Sequence, residues 1–259
     1  MKIIHISDLH ISTGINDRVQ SILSHIYSKY FFGNDSDTHL LITGDVVDDG
    51  QDAQYSMAKK LLEPFTGRLL VCPGNHDYAR LGNFYESDAI KRFGGLNSLA
   101  VHTLSNFNNY LDHDLPVIDL LGNVLFIGLN TNLNPHTFDF ACGEVGTNQL
   151  HFLNETLTDP KYEDHWKIVY LHHKPLKLKW YNWPFFRLKD RAKFLSIVEP
   201  AADVVAFGHS ESTSQQLIKL PGLLKDGTYF LNADNCVNDM GYFDITINDR
   251  ISVEYCRAI

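Results

Sequence analysis

Short apolar runs that each end in a polar turn recur along this chain, and between the first three lie segments of helical periodicity. Lys2 to Ile6, His39 to Thr43 and Arg68 to Cys72 read as buried strands. Across residues 16–31, Val19, Ile22, Leu23, Ile26, Tyr27 and Tyr30 fall at spacings of three and four, with Asp17 at the end where a helix favours negative charge. Residues 51–63 repeat the pattern through Tyr55, Met57, Ala58, Leu61 and Leu62, and Pro64 and Gly67 end it. Strand, helix, strand, helix, strand with short connections predicts βαβ units, a largely parallel sheet and right-handed crossovers.

Beyond residue 78 the pattern loosens, with a short helix expected near 84–93. Strands return at 117–120 and 124–130, joined by Gly122-Asn123 as a tight hairpin. A helix over 147–157, strands at 167–171 and 203–207, and shorter alternating strands at 215–220, 228–232, 242–247 and 250–255 follow, with Asn248-Asp249 as a hairpin turn. That antiparallel finish predicts a second sheet packed on the first. With 259 residues, 44% of them hydrophobic, one α/β domain over 1–259 is expected.

The formal charge of −9 gives no general attraction to polyanions, so no duplex nucleic acid partner is expected. The N-terminal apolar run is too short for a signal peptide and no run reaches membrane-spanning length, which predicts a cytoplasmic protein without a membrane contact. Cys72, Cys142, Cys236 and Cys256 are widely spaced and read mostly as buried thiols. The segment from Lys174 to Lys193 interleaves basic residues with Trp180, Tyr181, Trp183, Phe185 and Phe186. It reads equally as a loop holding something anionic or flat and as an aromatic plug beside a solvated helix face; residues 174–190 are a candidate substrate-capping loop.

Five strands deliver polar residues at their carboxyl ends, where open α/β sheets bind ligands. They are Asp8 and His10; Asp45 and Asp48; Asn75, His76 and Asp77; His172 and His173; and His209 and Glu211. Asp8, His10, Asp45, Asn75, His172, His209 and Glu211 together offer oxygen and imidazole ligands of the kind that suit Mn, Fe or Zn. Two ions fit this set better than one, and Asp45, in the middle, is the expected bridge.

In this order, Asp8-x-His10, Gly44-Asp45-x-x-Asp48, Gly74-Asn75-His76-Asp77, a strand-end histidine and Gly208-His209 resemble the calcineurin-like metallophosphoesterase superfamily over nearly the whole chain. Gly44 to Gly50, and Gly128-Leu129-Asn130-Thr131 through Gly143 to Leu153, are similar to its bacterial class III cyclic-nucleotide phosphodiesterase branch. The resemblance implies a four-layer α/β/β/α sandwich of two mixed sheets. It also implies two divalent metal ions, with Mn or Fe favoured and Zn or Mg as alternatives. One would be held by Asp8, His10, Asp45 and the residue two beyond His209, the other by Asp45, Asn75, His172 and His209. Hydroxide on the metals would attack phosphorus, while His76, oriented by Asp77 or Asp48, stabilises phosphoryl oxygens or protonates the leaving group.

The family ends this set with glycine, histidine, any residue, histidine; here the stretch is Gly208-His209-Ser210-Glu211. Glutamate in place of imidazole makes a harder, more negative site and favours Mn or Mg over Zn. His172 takes the position that similar sequences use for the ligand, which leaves His173 to face substrate. The expected function is metal-dependent hydrolysis of a phosphodiester in a small molecule such as a cyclic nucleotide. The alternatives are a phosphomonoesterase or nuclease of the same superfamily, and a non-catalytic scaffold that keeps the fold.

Overall fold

The computed structural model describes residues 1–33, 37–78, 104–111, 114–132, 141–177, 186–209, 218–220, 227–233 and 236–258. Strands β1 (Lys2–Ile6), β2 (Thr38–Thr43) and β3 (Leu69–Cys72) pair in parallel, as runs that are apolar on both faces and returned by helices must. The second sheet contains β4 (Val117–Leu121), β5 (Val124–Gly128), β6 (Trp166–Tyr170), β7 (Val204–Phe207), β8 (Ile218–Leu220) and β9 (Thr228–Asn232), in the order β4-β5-β6-β7-β9-β8. Its centre, β5 to β9, is parallel, and β4 and β8 close it antiparallel.

The last two strands correct the expected layout. β10 (Gly241–Ile247) and β11 (Ile251–Arg257) do not build the second sheet; they return to the first, giving β11-β10-β1-β2-β3. β10 pairs antiparallel with β1 from Lys2↔Thr246 to His5↔Phe243, which removes an open edge from a buried strand.

Three apolar layers hold the two mixed sheets and their helices together. Helices α1 (Asp17–Ile26), α2 (Asp52–Leu62) and α3 (Ser105–Leu111) bury Ile22, Tyr55 and Phe107 against Ile4, Ile6 and Ile42 on the outer face of the first sheet. Helices α4 (Thr147–Thr158) and α5 (Arg191–Val198) bury Leu153 and Phe194 against Ile127 and Val169 of the second. Between the sheets, Ile3, Leu41 and Ile245 meet Phe126, Ile168 and Val204. Successive side chains along each strand point to opposite faces, which sends neighbouring residues into different layers.

The helix expected over 16–31 is α-helical only to Ile26 and widens into a π turn, Tyr27–Phe31, closed by Phe32 N–H donating to the Tyr27 carbonyl at 2.8 Å. The wider turn lets Phe31 bury edge-on against Phe65 while Tyr30 reaches the Tyr242 hydroxyl at 3.3 Å. The Gly122-Asn123 hairpin is present, with Leu121 opposite Val124. The short helix expected near 84–93 and the first half of the strand at 215–220 lie outside the described residues. All four cysteines are free; Cys72 and Cys236 are buried and Cys142 and Cys256 half-buried. Among the described residues no helix is long and apolar enough to cross a membrane.

Candidate metal centre

The carboxyl ends of β1, β2 and β3 in one sheet and of β6 and β7 in the other meet at one edge of the sandwich. Past β1 and β2 the two loops stay paired: Asp8 N–H donates to the Gly44 carbonyl at 3.1 Å and His10 N–H to the Asp45 carbonyl at 3.0 Å. His209 N–H then donates to Asp8 Oδ2 at 3.3 Å, tying the second sheet to the first. That approach is close enough that a Cβ on Gly208 would collide with Ser7 and Asp8.

Backbone conformation singles out the same residues. Among the described non-glycine residues, five sit at positive φ: Asp8 at 57°, His10 at 45°, Asp45 at 49°, His209 at 71° and Met240 at 50°. Four of these five are expected metal ligands. The left-handed region costs such residues of order 1–3 kcal/mol each and persists only where surroundings enforce it. Gly44, at φ 93°, makes the turn before Asp45, and a side chain there would run into the His172 ring.

One group of donors centres on His172. Its Nδ1–H donates to the Thr43 carbonyl at 2.8 Å, which orients the ring with Nε2 facing inward. His172 Nε2 stands 3.2 Å from Asn75 Oδ1, 3.1 Å from His209 Nδ1 and 3.4 Å from Asp45 Oδ2. Donor atoms about 2.0–2.2 Å from a shared cation stand about 3–3.5 Å from one another, so this set has the spacing of a coordination shell. A second group, Asp8, His10 and Asp45, has its ligand atoms within 4.8 Å of one another, with His10 Nε2 3.8 Å from Asp45 Oδ2. Asp45 Oδ2 is common to both groups, while Asp45 Oδ1 accepts the His76 N–H at 2.8 Å.

The electrostatics of the cluster set its carboxylates against its imidazoles. Burial disfavours charge on His10, but the Asp48 contact and the carboxylates of Asp45 and Asp8 win and raise its pKa to about 9. Burial opposes charge on His172 too, and Asp45 and Asp8 again raise it to about 9. Asp45 is itself buried, yet the imidazoles of His172, His76 and His10 hold it well below the ordinary carboxylate range. Burial, with the Asp45 carboxylate beside it, raises Asp8 against the pull of His172 and His10. His209, desolvated and beside His172, falls to about 3 and is neutral.

The three expected catalytic residues take different places. His76 donates Nδ1–H to the Asp48 carbonyl at 2.6 Å, and its ring stands edge-on to His10 at 4.6 Å. The Asp48 carboxylate lies 3.5 Å from His10 Nδ1 and 4.0 Å from His76 Nδ1. Asp77 is fully buried and its carboxylate accepts from the backbone N–H of Gly74 (2.8 Å), Val46 (3.2 Å) and Val47 (3.1 Å) and from the Tyr55 hydroxyl (3.0 Å). It therefore laces the loop after β2 to the loop after β3; the sequence reading names it, with Asp48, as a candidate to orient His76.

The structure thus brings together six of the seven expected ligands; Glu211 lies outside the described residues. His173, expected to face substrate, is fully buried with Nδ1 2.7 Å from Thr131 Oγ1. Tyr55, Thr43 and Thr131 were not picked out from the sequence. Nothing in a lone threonine or tyrosine marks it as the partner of a ligand loop.

Comparison with known proteins agrees with this architecture. The family model for calcineurin-like phosphoesterases matches residues 1–210. A probable cyclic nucleotide phosphodiesterase of Coxiella burnetii is 24% identical over 213 residues, 81% of this chain and 75% of that protein. Another, from Vesicomyosocius okutanii, is 36% identical over 78 residues, 29% of this chain and 33% of that protein. The crystal structure of a dimetal phosphatase from Danio rerio superposes with a TM-score of 0.61 at 11% identity, covering all of this chain and 96% of the other, which speaks to the fold. With the family model spanning most of its length and the fold in agreement, the chain belongs to the calcineurin-like phosphoesterases.

Proposed function

We propose that this protein is a binuclear-metal phosphodiesterase acting on a small molecule, a cyclic nucleotide or similar diester. The observation that carries the metal reading is the convergence of His172 Nε2, Asn75 Oδ1, His209 Nδ1 and Asp45 Oδ2 from four different strand ends. The preference for a diester follows the sequence resemblance and the Coxiella relative. In this reading Asp45, Asn75, His172 and His209 hold one divalent ion, and Asp8, His10 and Asp45 hold the other, with Glu211 completing it from its sequence position. Two such ions would supply an acidified water and charge for the phosphoryl oxygens.

The chain's own groups do the rest. Thr43 and Asp48 set the ring orientations of His172 and His10. With Nδ1–H engaged by the Asp48 carbonyl, His76 presents Nε2 to the cleft, and in its imidazolium form it gives the Nε2 proton to the leaving-group oxygen and keeps the Nδ1–H on Asp48. Asp77 acts as a positioning residue by holding the Asp45 and Asn75 loops in register.

The test compares a chromogenic phosphodiester with the matching monoester on metal-stripped protein reloaded with Mn, Zn or Mg. Diester turnover is expected, greatest with Mn. His76→Ala should lower kcat by about 10²–10⁴-fold while the metal content stays at the wild-type level. Monoester preference would replace this reading with a phosphatase, and loss of nothing in His76→Ala would leave a scaffold.

A further inference from the structure

Phe186 is the one aromatic of the 180–186 run that lies among the described residues, and it stands against the metal centre. Its ring centroid is 5.7 Å from that of His209, tilted by 58°. The backbone that carries it is fixed. Gly143 N–H donates to the Arg187 carbonyl at 3.0 Å and Lys189 N–H to the Gly143 carbonyl at 2.8 Å, while Leu188 is fully buried. Asp190 then accepts from Val145 and Gly146 N–H at 3.0 and 2.8 Å, anchoring the segment at the start of α4.

The cleft therefore has two unlike sides. From Asp45 outward, one side leads to His76, His10 and Asp48, all polar and partly exposed. The other leads through His172 to His209 and ends at Phe186, which is half-buried. In an in-line displacement over Asp45 with the leaving group toward His76, the attacking oxygen takes the opposite position, so the retained substituent lies to the side, and one directed along His209 would meet Phe186. A polar or charged substituent loses hydration against that ring, whereas a flat one gains stacking area.

We infer that Phe186 is a specificity-determining residue, which selects phosphoesters whose retained group is a flat aromatic or heteroaromatic ring. This rests on the phosphoesterase reading above and narrows its substrate class.

Binding of phenylphosphonate and of methylphosphonate to the Mn-loaded protein, measured by calorimetry, tests it without turnover. Wild type should prefer phenylphosphonate, and Phe186→Ala should cut that preference about tenfold, the scale of one lost aromatic stack. A Mn titration on the same variant separates stacking from simple cover over His209. If Phe186→Ala weakens Mn binding, Phe186→Leu, which keeps apolar cover but has no ring face, decides. A reduced phenyl preference in Phe186→Leu supports the inference. An equal preference in wild type and variant, or no phenyl preference in wild type, overturns it. Failure of diester turnover with the phenyl preference intact would remove the phosphodiesterase reading alone.

Discussion

At Asp45 a single side chain meets several demands: a left-handed backbone at φ 49°, one oxygen taking the His76 N–H, the other facing His172 and His10. The strain is sustained because each contact depends on the loop turning there. The same crowding of carboxylates sets the protonation of the imidazoles. His10 and His172, both raised to about 9, carry protons at neutral pH in the metal-free protein, whereas His209 does not. Ligation needs the lone pair, so metal affinity should weaken as pH falls below about 9, and loading at pH 7.5 should release about two protons per protein. Calorimetry in buffers of different ionisation enthalpy measures that number. His172→Ala should lower it by about one, and release near zero in the wild type would refute the assignment. The sequence assigned the ligand place to His172 and left His173 to face substrate. The Thr43 carbonyl and the Thr131 hydroxyl, both distant in the chain, orient one toward the cluster and hold the other behind it.

Among the elements, the start of α4 shows how the site is braced from outside. No side chain of its own caps it; Asp190, from the turn before α5, supplies the acceptors for Val145 and Gly146. Asp190→Ala should cost about 1–2 kcal/mol, which corresponds to a Tm lower by about 3–6 °C for a chain of this size. Thermal unfolding of the metal-free protein checks it, and an unchanged Tm would mean that water replaces the carboxylate without loss. Element positions were largely legible because period and burial agree: β1, β2, β3 and α2 fall within a residue or two of their expected bounds. The π turn at Tyr27 was not, since it answers to Phe65 and Tyr242, partners far along the chain.

For the whole molecule, the candidate ligands come from both sheets, so a bound ion joins them at one end. Ions that bind only the folded state stabilise it by about 4 kcal/mol at a thousand times Kd. Mn should therefore raise Tm by about 8–16 °C. Hydrogen exchange should slow at the ends of β2 and β6 together, and His172→Ala should remove most of both effects. Protection confined to one sheet would contradict a shared centre.

What the sequence by itself determined is local: apolar runs that must be buried strands, amphipathic helices between them, and polar residues at strand ends whose types suit divalent ions. Those follow from periodicity and side-chain chemistry, which act over a few residues. Only the tertiary structure decided that β10 closes the edge of β1, that Asp77 holds loops together, and that Phe186 stands beside His209. Each of these depends on the approach of segments remote in the chain, where packing and hydrogen-bond satisfaction outweigh any local preference.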